Sequence, residues 1–395
     1  MKKPSRQRSK VVLTRLKNYE SHQVSQSLQK CLNLLGGLEK FVRPGSSVFV
    51  KINLLSPASP PEKGINTHPV FTKEILRFLK ELNLAITVGD DFRADQNELL
   101  GSGYPQVCDE LGVRFVNLKE SGFREVECHG GVLEKTYISS HVLESNIIIN
   151  LPKLKTHSFS IYTGAIKNMF GIIPHGLRIH YHRDFQKNEI FSQMLVDIFS
   201  CAPPTLTIMD AVEAMEGEGP SSGNMRHVGA VLASQDAVAL DAVASKIAGF
   251  IPMDIFSTQN AHERGFGRGN IDEIEVIGEK ISDFVVKDFK HSAIAVGFLR
   301  RSLPAFLYAY FQNQLVFTPK VKKNKCTGCW ECVRICPRGA VKKKEDGESA
   351  WIDTNLCIHC LCCHEVCRFQ AVELKQRPVG QLIRGIQHLA RRLGA

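Results

Sequence analysis

No stretch of this 395-residue chain is apolar for long enough to span a bilayer. The most apolar candidate, Ala293 to Phe317, is broken by Arg300, Arg301 and Pro304. Nothing at the N-terminus reads as a secretory signal, which argues against an oxidising compartment and a disulfide framework. No basic stripe with interleaved aromatics occurs, so the formal charge of +10 does not mark a nucleic-acid surface. The chain also lacks a phosphate-binding loop with its lysine, a dinucleotide fingerprint on the first strand–helix unit, and a flavin motif. Nor is there an i, i+4 histidine pair supported by a carboxylate, the usual sign of a zinc hydrolase.

What the chain does have is cysteine, 13 in all. Eight fall in two runs: Cys326, Cys329, Cys332 and Cys336 followed by Pro337, then Cys357, Cys360, Cys363 and Cys367. Each run is C-x2-C-x2-C-x3-C, the spacing by which bacterial-type ferredoxins hold a pair of 4Fe–4S clusters. In that arrangement the fourth cysteine of each run ligates the other cluster. Cys326, Cys329, Cys332 and Cys367 then hold one cluster, and Cys357, Cys360, Cys363 and Cys336 the other. Structural zinc uses two separated C-x2-C pairs rather than two runs of four. Two features depart from the pattern. Arg368 stands where the second motif would have its proline, and Cys362 sits beside Cys363, although the spacing favours Cys363 as ligand. The scattered Cys31, Cys108, Cys128 and Cys201 read as small buried hydrophobes. Two oxidised clusters with four thiolates each would carry about −2 apiece, bringing the charge to about +6. Thiolate-held clusters and unpaired cysteines point to a reducing, cytoplasmic setting.

From about residue 10 to 290 apolar strands alternate with helical stretches. Strands are expected at Ser47 to Leu54, Leu84 to Val88, Val113 to Leu118, Asn146 to Leu151, Thr205 to Met209 and Gly229 to Ala233. Helices are expected at Val70 to Leu82, Tyr104 to Leu111, Tyr162 to Phe170, Glu189 to Phe199 and Ala237 to Ala248. Continuous apolar strands joined by helices imply an α/β fold with a mostly parallel sheet covered by helices, followed here by a small α+β two-cluster ferredoxin-like domain. The expected division is an α/β domain over 1–290 (core 46–250), a connector over 291–320, the ferredoxin domain over 321–376, and a basic amphipathic helix over 377–395. That last helix sets Leu382, Ile386, Leu389 and Leu393 against Arg384, His388, Arg391 and Arg392. Packing on its own protein is favoured over peripheral membrane contact.

Polar residues gather where the strands of such a sheet end. Lys51 and Asn53 follow the first strong strand, Asp90 and Asp91 the second, Lys153, Lys155 and His157 the most apolar one, and Asp210 the next. In open α/β sheets the ligand crevice lies outside the carboxyl ends of the strands. The segment 152–183 adds Lys167, Asn168, His175, Arg178, His180, His182 and Arg183, a density of cationic and imidazole donors that suits a carboxylate or phosphate. Beyond it, Glu216 leads into a glycine-rich turn. Candidate catalytic residues are therefore Lys153, Lys155, His157, Lys167, Asp90, Asp210 and Glu216. Candidate cofactor- or substrate-binding residues are Lys51, Asn53, Asn168, Arg178 and His182.

At these residues the chain resembles the domain of unknown function 362 family. The resemblance runs through VKINLL (50–55), THP (67–69), VGDD (88–91), INLPKLKTH (149–157), GAIKNMFG (164–171), DAVEAMEGEGP (210–220) and SQDAVALDAV (234–243). It implies an α/β iron–sulfur protein whose C-terminal two-cluster ferredoxin domain is a common partner in the family, and it implies no particular reaction.

Two functions follow as expectations. The first is an oxidoreductase that takes electrons from a soluble donor, a ferredoxin or reductase, and passes them through two 4Fe–4S clusters to a small anionic ligand. Fully cysteine-ligated clusters are one-electron carriers with no room for substrate. A two-electron reduction would then call for an additional organic redox cofactor as relay. The second is a ferredoxin-like carrier without catalysis, whose first domain senses an anion or docks a partner.

Overall fold

A computed structural model describes residues 8–291, 304, 306–307, 316–345, 347–376, 378 and 380–382. Most of the expected connector and all but the start of the expected C-terminal helix lie outside these residues. Among the described residues no helix is long and apolar enough to cross a membrane.

The first domain is built on ten strands of one sheet: β1 (Ser9–Arg15), β2 (Ser47–Ile52), β3 (Ala85–Asp90), β4 (Arg114–Asn117), β7 (Ile147–Leu151), β8 (Lys153–His157), β9 (Ile161–Thr163), β10 (Leu206–Glu216), β11 (Asn224–Ser234) and β12 (Ile274–Gly278). Between β4 and β7 a separate antiparallel hairpin is formed by β5 (Phe123–Glu127) and β6 (Lys135–Ser139). The path across the sheet runs β12-β1-β11-β10-β7-β2-β3-β4. From β10 to β4 every neighbour is parallel, while β11 lies antiparallel to both β10 and β1.

Strand alternation sorts the side chains onto two covered faces. Phe49 and Ile148 join one buried cluster with the helices Asn188–Cys201 and Ala237–Ile247. Val48, Val50, Ile147 and Ile149 join the other, with the helices Ser21–Leu35 and Pro69–Lys80. Because both faces are buried, the central strands read as predominantly apolar runs, interrupted only near their carboxyl ends by Lys51 and Asn150, which is why they are visible in the sequence.

The main departure follows Leu151. The expected helix over 162–170 is instead strand β9, then a short helix (Ala165–Asn168) and a 3₁₀ turn (Met169–Ile172). Lys153–His157, read in the sequence only as polar residues following the most apolar strand, is itself a strand buried along its whole length. A polar strand is held in the interior because each of its polar side chains meets a partner there.

The second domain pairs β13 (Thr318–Val321) with β16 (Val372–Lys375) and β14 (Val341–Lys343) with β15 (Ala350–Ile352), both antiparallel. Its two halves repeat in backbone conformation. Gly328, Trp330 and Gly339 have φ of 68, 63 and 60°, and His359, Leu361 and Gln370, each 31 positions later, have 56, 64 and 52°. The second half thus holds three non-glycine residues left-handed, a conformation costing about 1–3 kcal/mol each. Both halves therefore wind their cysteines into the same loop shape.

Candidate functional site

Among the described residues, His, Cys, Asp and Glu side chains nowhere gather in threes as tightly as one metal ion requires. The thiolates of a cubane stand farther apart than that, since each ligates a different iron of the cage. Burial pushes the Cys332 thiol up to about 12, and the thiols acting on it are Cys367, Cys329 and Cys326. Burial also raises Cys363, with Cys360, Cys357, Cys332 and Cys336 as its neighbours. The backbone N–H of Ala340 donates to Cys336 Sγ and that of Ala371 to Cys367 Sγ, both at 3.2 Å. Hydrogen bonds of this kind stabilise cluster thiolates and tune their potentials. Val341, Ala350, Ala371 and Val372 close an apolar shell around these sulfurs. All the cysteines are free thiols. The residues present fit the holding of 4Fe–4S clusters.

A cavity of about 550 Å³ opens between the two domains. The α/β side contributes Lys51, Asn53, Lys155, His157, Lys167, Asn168, Arg178 and His182 from the carboxyl ends of the sheet and the segment after them. The opposite wall comes from the ferredoxin side, through Ile335, Cys362, Glu365 and Val366. The two sides are tied together. Ser221 Oγ donates to the Glu365 carbonyl at 2.7 Å, His364 Nε2 meets the Glu218 carbonyl at 3.2 Å, and Ile179 packs among Ile335, Cys360 and Cys362. Arg368, the departure from the proline pattern, pairs with Glu98 across this junction.

Many of the charged groups at the cavity are already engaged. Lys51 Nζ stands 2.8 Å from Asp90 Oδ1 and donates to the Ile52 carbonyl. Asp90 also accepts from the backbone N–H groups of Leu54 and Asp91, so three of its roughly four acceptor positions are taken. Arg178 clamps Asp91 at 2.7 Å. Asn168 Nδ2 donates to Asn150 Oδ1 at 2.7 Å, fixing the short helix to the sheet.

Other groups among the described residues remain open to chemistry. Among the described residues Lys155 Nζ donates only to Asn53 Oδ1 and the Ile65 carbonyl, and burial, helped by Lys167 and Lys153, lowers its pKa to about 7. Lys167 lies over the rings of Phe170 and Phe191 at 5.2 and 5.6 Å, without an ion pair among the described residues. His157 Nδ1 accepts from the backbone N–H groups of Phe159 and Ser160, so its proton lies on Nε2, 3.4 Å from Glu365 Oε1. Burial holds that imidazole neutral and pushes the Glu365 carboxyl up to about 7, with Lys167 and Lys155 pulling the latter back. His182 is buried against Phe159, Phe170 and Phe191, its pKa lowered to about 3, and its Nδ1 has no hydrogen-bond partner among the described residues.

Three of the expected residues are not brought to the cavity. Lys153 and Asp210 form a closed ion pair at 2.8 Å, both almost fully buried, with Tyr19 hydrogen-bonded to each. Glu216 is turned to the backbone N–H of Lys290. The reason lies in the pairing of β8 with β10, whose register breaks between Asp210↔Lys153 and Met215↔Lys155. An irregularity of this kind re-aims neighbouring side chains. It separates two lysines that stand only two positions apart. Conversely, Glu365 and Cys362 enter the cavity wall although the sequence marks neither as a substrate contact. The one available signal is the carboxylate of Glu365, set between two cluster cysteines.

Comparison with known proteins places the chain. Residues 48–246, about half its length, match the model described as Domain of unknown function (DUF362). The chain belongs to this family. Residues 319–342 match a 4Fe–4S binding domain, so this family member carries a ferredoxin-like domain for 4Fe–4S electron transfer. Thylakoid-associated protein sll1697 of Synechocystis sp. is 31% identical over 257 residues, covering 64% of this chain and 78% of that protein. The probable anaerobic dimethyl sulfoxide reductase component YnfG of Escherichia coli is 31% identical over 111 residues, covering 26% of this chain and 51% of that protein. This chain thus spans about half the length of that reductase component. The lactate racemase apoprotein of Thermoanaerobacterium thermosaccharolyticum superimposes with a TM-score of 0.42 at 13% identity, covering 64% of this chain and 60% of that one.

A glycine within the family motif tests how tightly the site is built. A Cβ on Gly171 would stand 2.6 Å from Asp90 Oδ1 and 2.8 Å from Lys51 Nζ. Gly171→Ala is expected to lose about 1–3 kcal/mol of stability by overpacking this pair, read as a lower denaturant midpoint. An unchanged midpoint would show that the pair yields freely.

Proposed function

We propose that this protein is an oxidoreductase that passes electrons from a soluble donor, such as a ferredoxin or reductase, through two 4Fe–4S clusters to a small anion held in the cavity between its domains. The observation that carries the reading is the composition of that cavity. One wall offers Lys167, a cation without an ion pair among the described residues, and the facing wall is made by both cysteine runs, through Ile335 of the first and Cys362, Glu365 and Val366 of the second. Cys362 lines the cavity and packs beside Cys360, one of the four sulfurs assigned to the second cluster. Electrons leaving that cluster then have only a wall to cross. The clusters supply one-electron steps when bound. The chain's own residues attract and orient the anion through Lys167 and Lys155, hold a neutral imidazole proton at His157 Nε2, and exclude water with Phe170, Ile179 and Ile335. Asn53, Asn168 and Arg178 fix the lysine, the helix and the loop around them. Two clusters in one module can deliver two electrons in succession, and an organic cofactor of modest size would fit the same cavity as relay. A cytoplasmic setting suits unpaired thiols and thiolate-held clusters.

The test is reoxidation. Anaerobically purified protein is reduced with dithionite and mixed with candidate carboxylate and phosphate acceptors, while cluster absorbance is followed. Acceptor-dependent reoxidation is expected, slowed about ten- to a hundredfold in Lys167→Ala, the value of a hydrogen bond to a charged group. Reoxidation indifferent to every acceptor would instead favour a carrier or sensor. Anion binding should also weaken as pH rises. Lys155 is charged below its pKa of about 7 and neutral above it, so its attraction for an anion is lost through that value. Titration with inorganic phosphate over roughly a unit either side of that pKa checks this. Phosphate itself passes from monoanion to dianion over the same range and Glu365, raised to about 7, deprotonates there too, so Lys155→Met, which should make the decline shallower, serves as the control.

A further inference from the structure

Two cysteines outside the cluster motifs stand together on a different part of the first domain. Cys128 follows strand β5, and Cys201 is the last residue of the helix Asn188–Cys201. They are 73 residues apart in sequence, yet their sulfurs are 3.4 Å apart. Both are half-buried and therefore within reach of a small thiol reagent. The approach is held from both sides. Cys128 N–H donates to the Glu134 carbonyl across the hairpin, and Cys201 Sγ lies 3.2 Å from the Asp197 carbonyl at the helix end. Asp197 in turn accepts from the N–H groups of Val132 and Leu133, and it pairs with Arg264 at 2.7 Å. The hairpin and the helix end are thus locked together independently of the two thiols, so little backbone movement is needed to join them.

We propose that Cys128 and Cys201 are a dithiol site for reversible oxidation by a small-molecule disulfide such as oxidised glutathione, separate from the cluster ligands. The Cys201 sulfur attacks one sulfur of the reagent, whose S–S bond breaks, and the first glutathione leaves as thiol. Cys128 then attacks the mixed disulfide on Cys201, forming the protein disulfide and releasing the second glutathione. One disulfide is reduced and one formed, and the protons of the two protein thiols end on the two glutathiones. Cys201 is the better attacking group. The neighbouring Cys128 thiol lowers its pKa, and the same contact raises that of Cys128. The crosslink would tie β5 to the helix whose Phe191 lies beneath Lys167.

The anaerobic holoprotein is incubated with oxidised glutathione, quenched with acid, alkylated, digested and mapped by mass spectrometry. The expected product is a peptide linked through Cys128 and Cys201, reversed by dithiothreitol, with iron content unchanged. Cys128→Ser should stop at a glutathione adduct on Cys201. The proposal is overturned if both residues remain alkylatable in the wild-type protein. It is also overturned if each accumulates its own glutathione adduct without a crosslink, or if the crosslink appears only as iron is lost.

Discussion

Replacing Cys367 by alanine is expected to destroy the cluster held by the other cysteine run. If the fourth cysteine of each run crosses over, Cys367 serves the loop of Cys326, Cys329 and Cys332, and iron falls from about eight to about four per chain. Cys367 is one of the thiols acting on Cys332, and its sulfur accepts from Ala371 N–H at 3.2 Å. Pairwise variants identify which cluster is lost. Cys326→Ala added to Cys367→Ala should cost no further iron, because both ligate the same cage, whereas Cys360→Ala added to it should remove the rest. The opposite pattern would mean that each run holds its own cluster. Where the module fails to fold, iron drops to zero in the single variant, and Cys367→Ser, which keeps an oxygen ligand, gives the comparison. The effect is large because the two halves have little apolar core beyond their cysteines, so metal binding and folding are coupled.

The second large effect is structural. Lys153→Met is expected to destabilise the first domain by about 3–5 kcal/mol, because it leaves Asp210 buried without its cation. Asp210 lies 2.8 Å from Lys153 Nζ, accepts from Tyr19 Oη at 2.8 Å and from the His68 N–H at 3.0 Å, and is fully buried. The ring of Tyr19 is in turn stacked on His68 at 3.7 Å. One ion pair therefore joins the chain after β1, the start of the helix Pro69–Lys80, β8 and β10. Lys153→Met with Asp210→Leu should recover part of the loss, since two apolar groups leave no unpaired charge. Chemical denaturation measures both. A Lys153→Met protein of unchanged stability that no longer binds anion would return Lys153 to the site.

These cases show where local pattern is enough and where it fails. The cysteine loops are legible because cluster ligation is set by spacing along a short stretch. The positive-φ positions then repeat at the same interval, with His359 and Gln370 standing where the first half has glycine and Leu361 where it has Trp330. The central strands are legible because burial on both faces fills them mostly with apolar residues, and Tyr104–Leu111 falls where periodicity sets it. Lys153 and Lys155 look equivalent in KLKTH, and nothing within that strand separates them. A break in register against β10 and a tyrosine 134 residues away decide that one neutralises Asp210 while the other faces the cavity.

By itself, then, the sequence determined the α/β sheet, its family, the 4Fe–4S ferredoxin module and the cationic character of the crevice, because each is written in spacing or local composition. Only the tertiary structure decided which charges are already satisfied and which stay open. It also set Glu365 and Cys362 into the facing wall and gave Arg368 a partner 270 residues distant in Glu98. The physical reason is that a charge acts according to its nearest neighbours in space and its depth from water, and both depend on how the two domains come together.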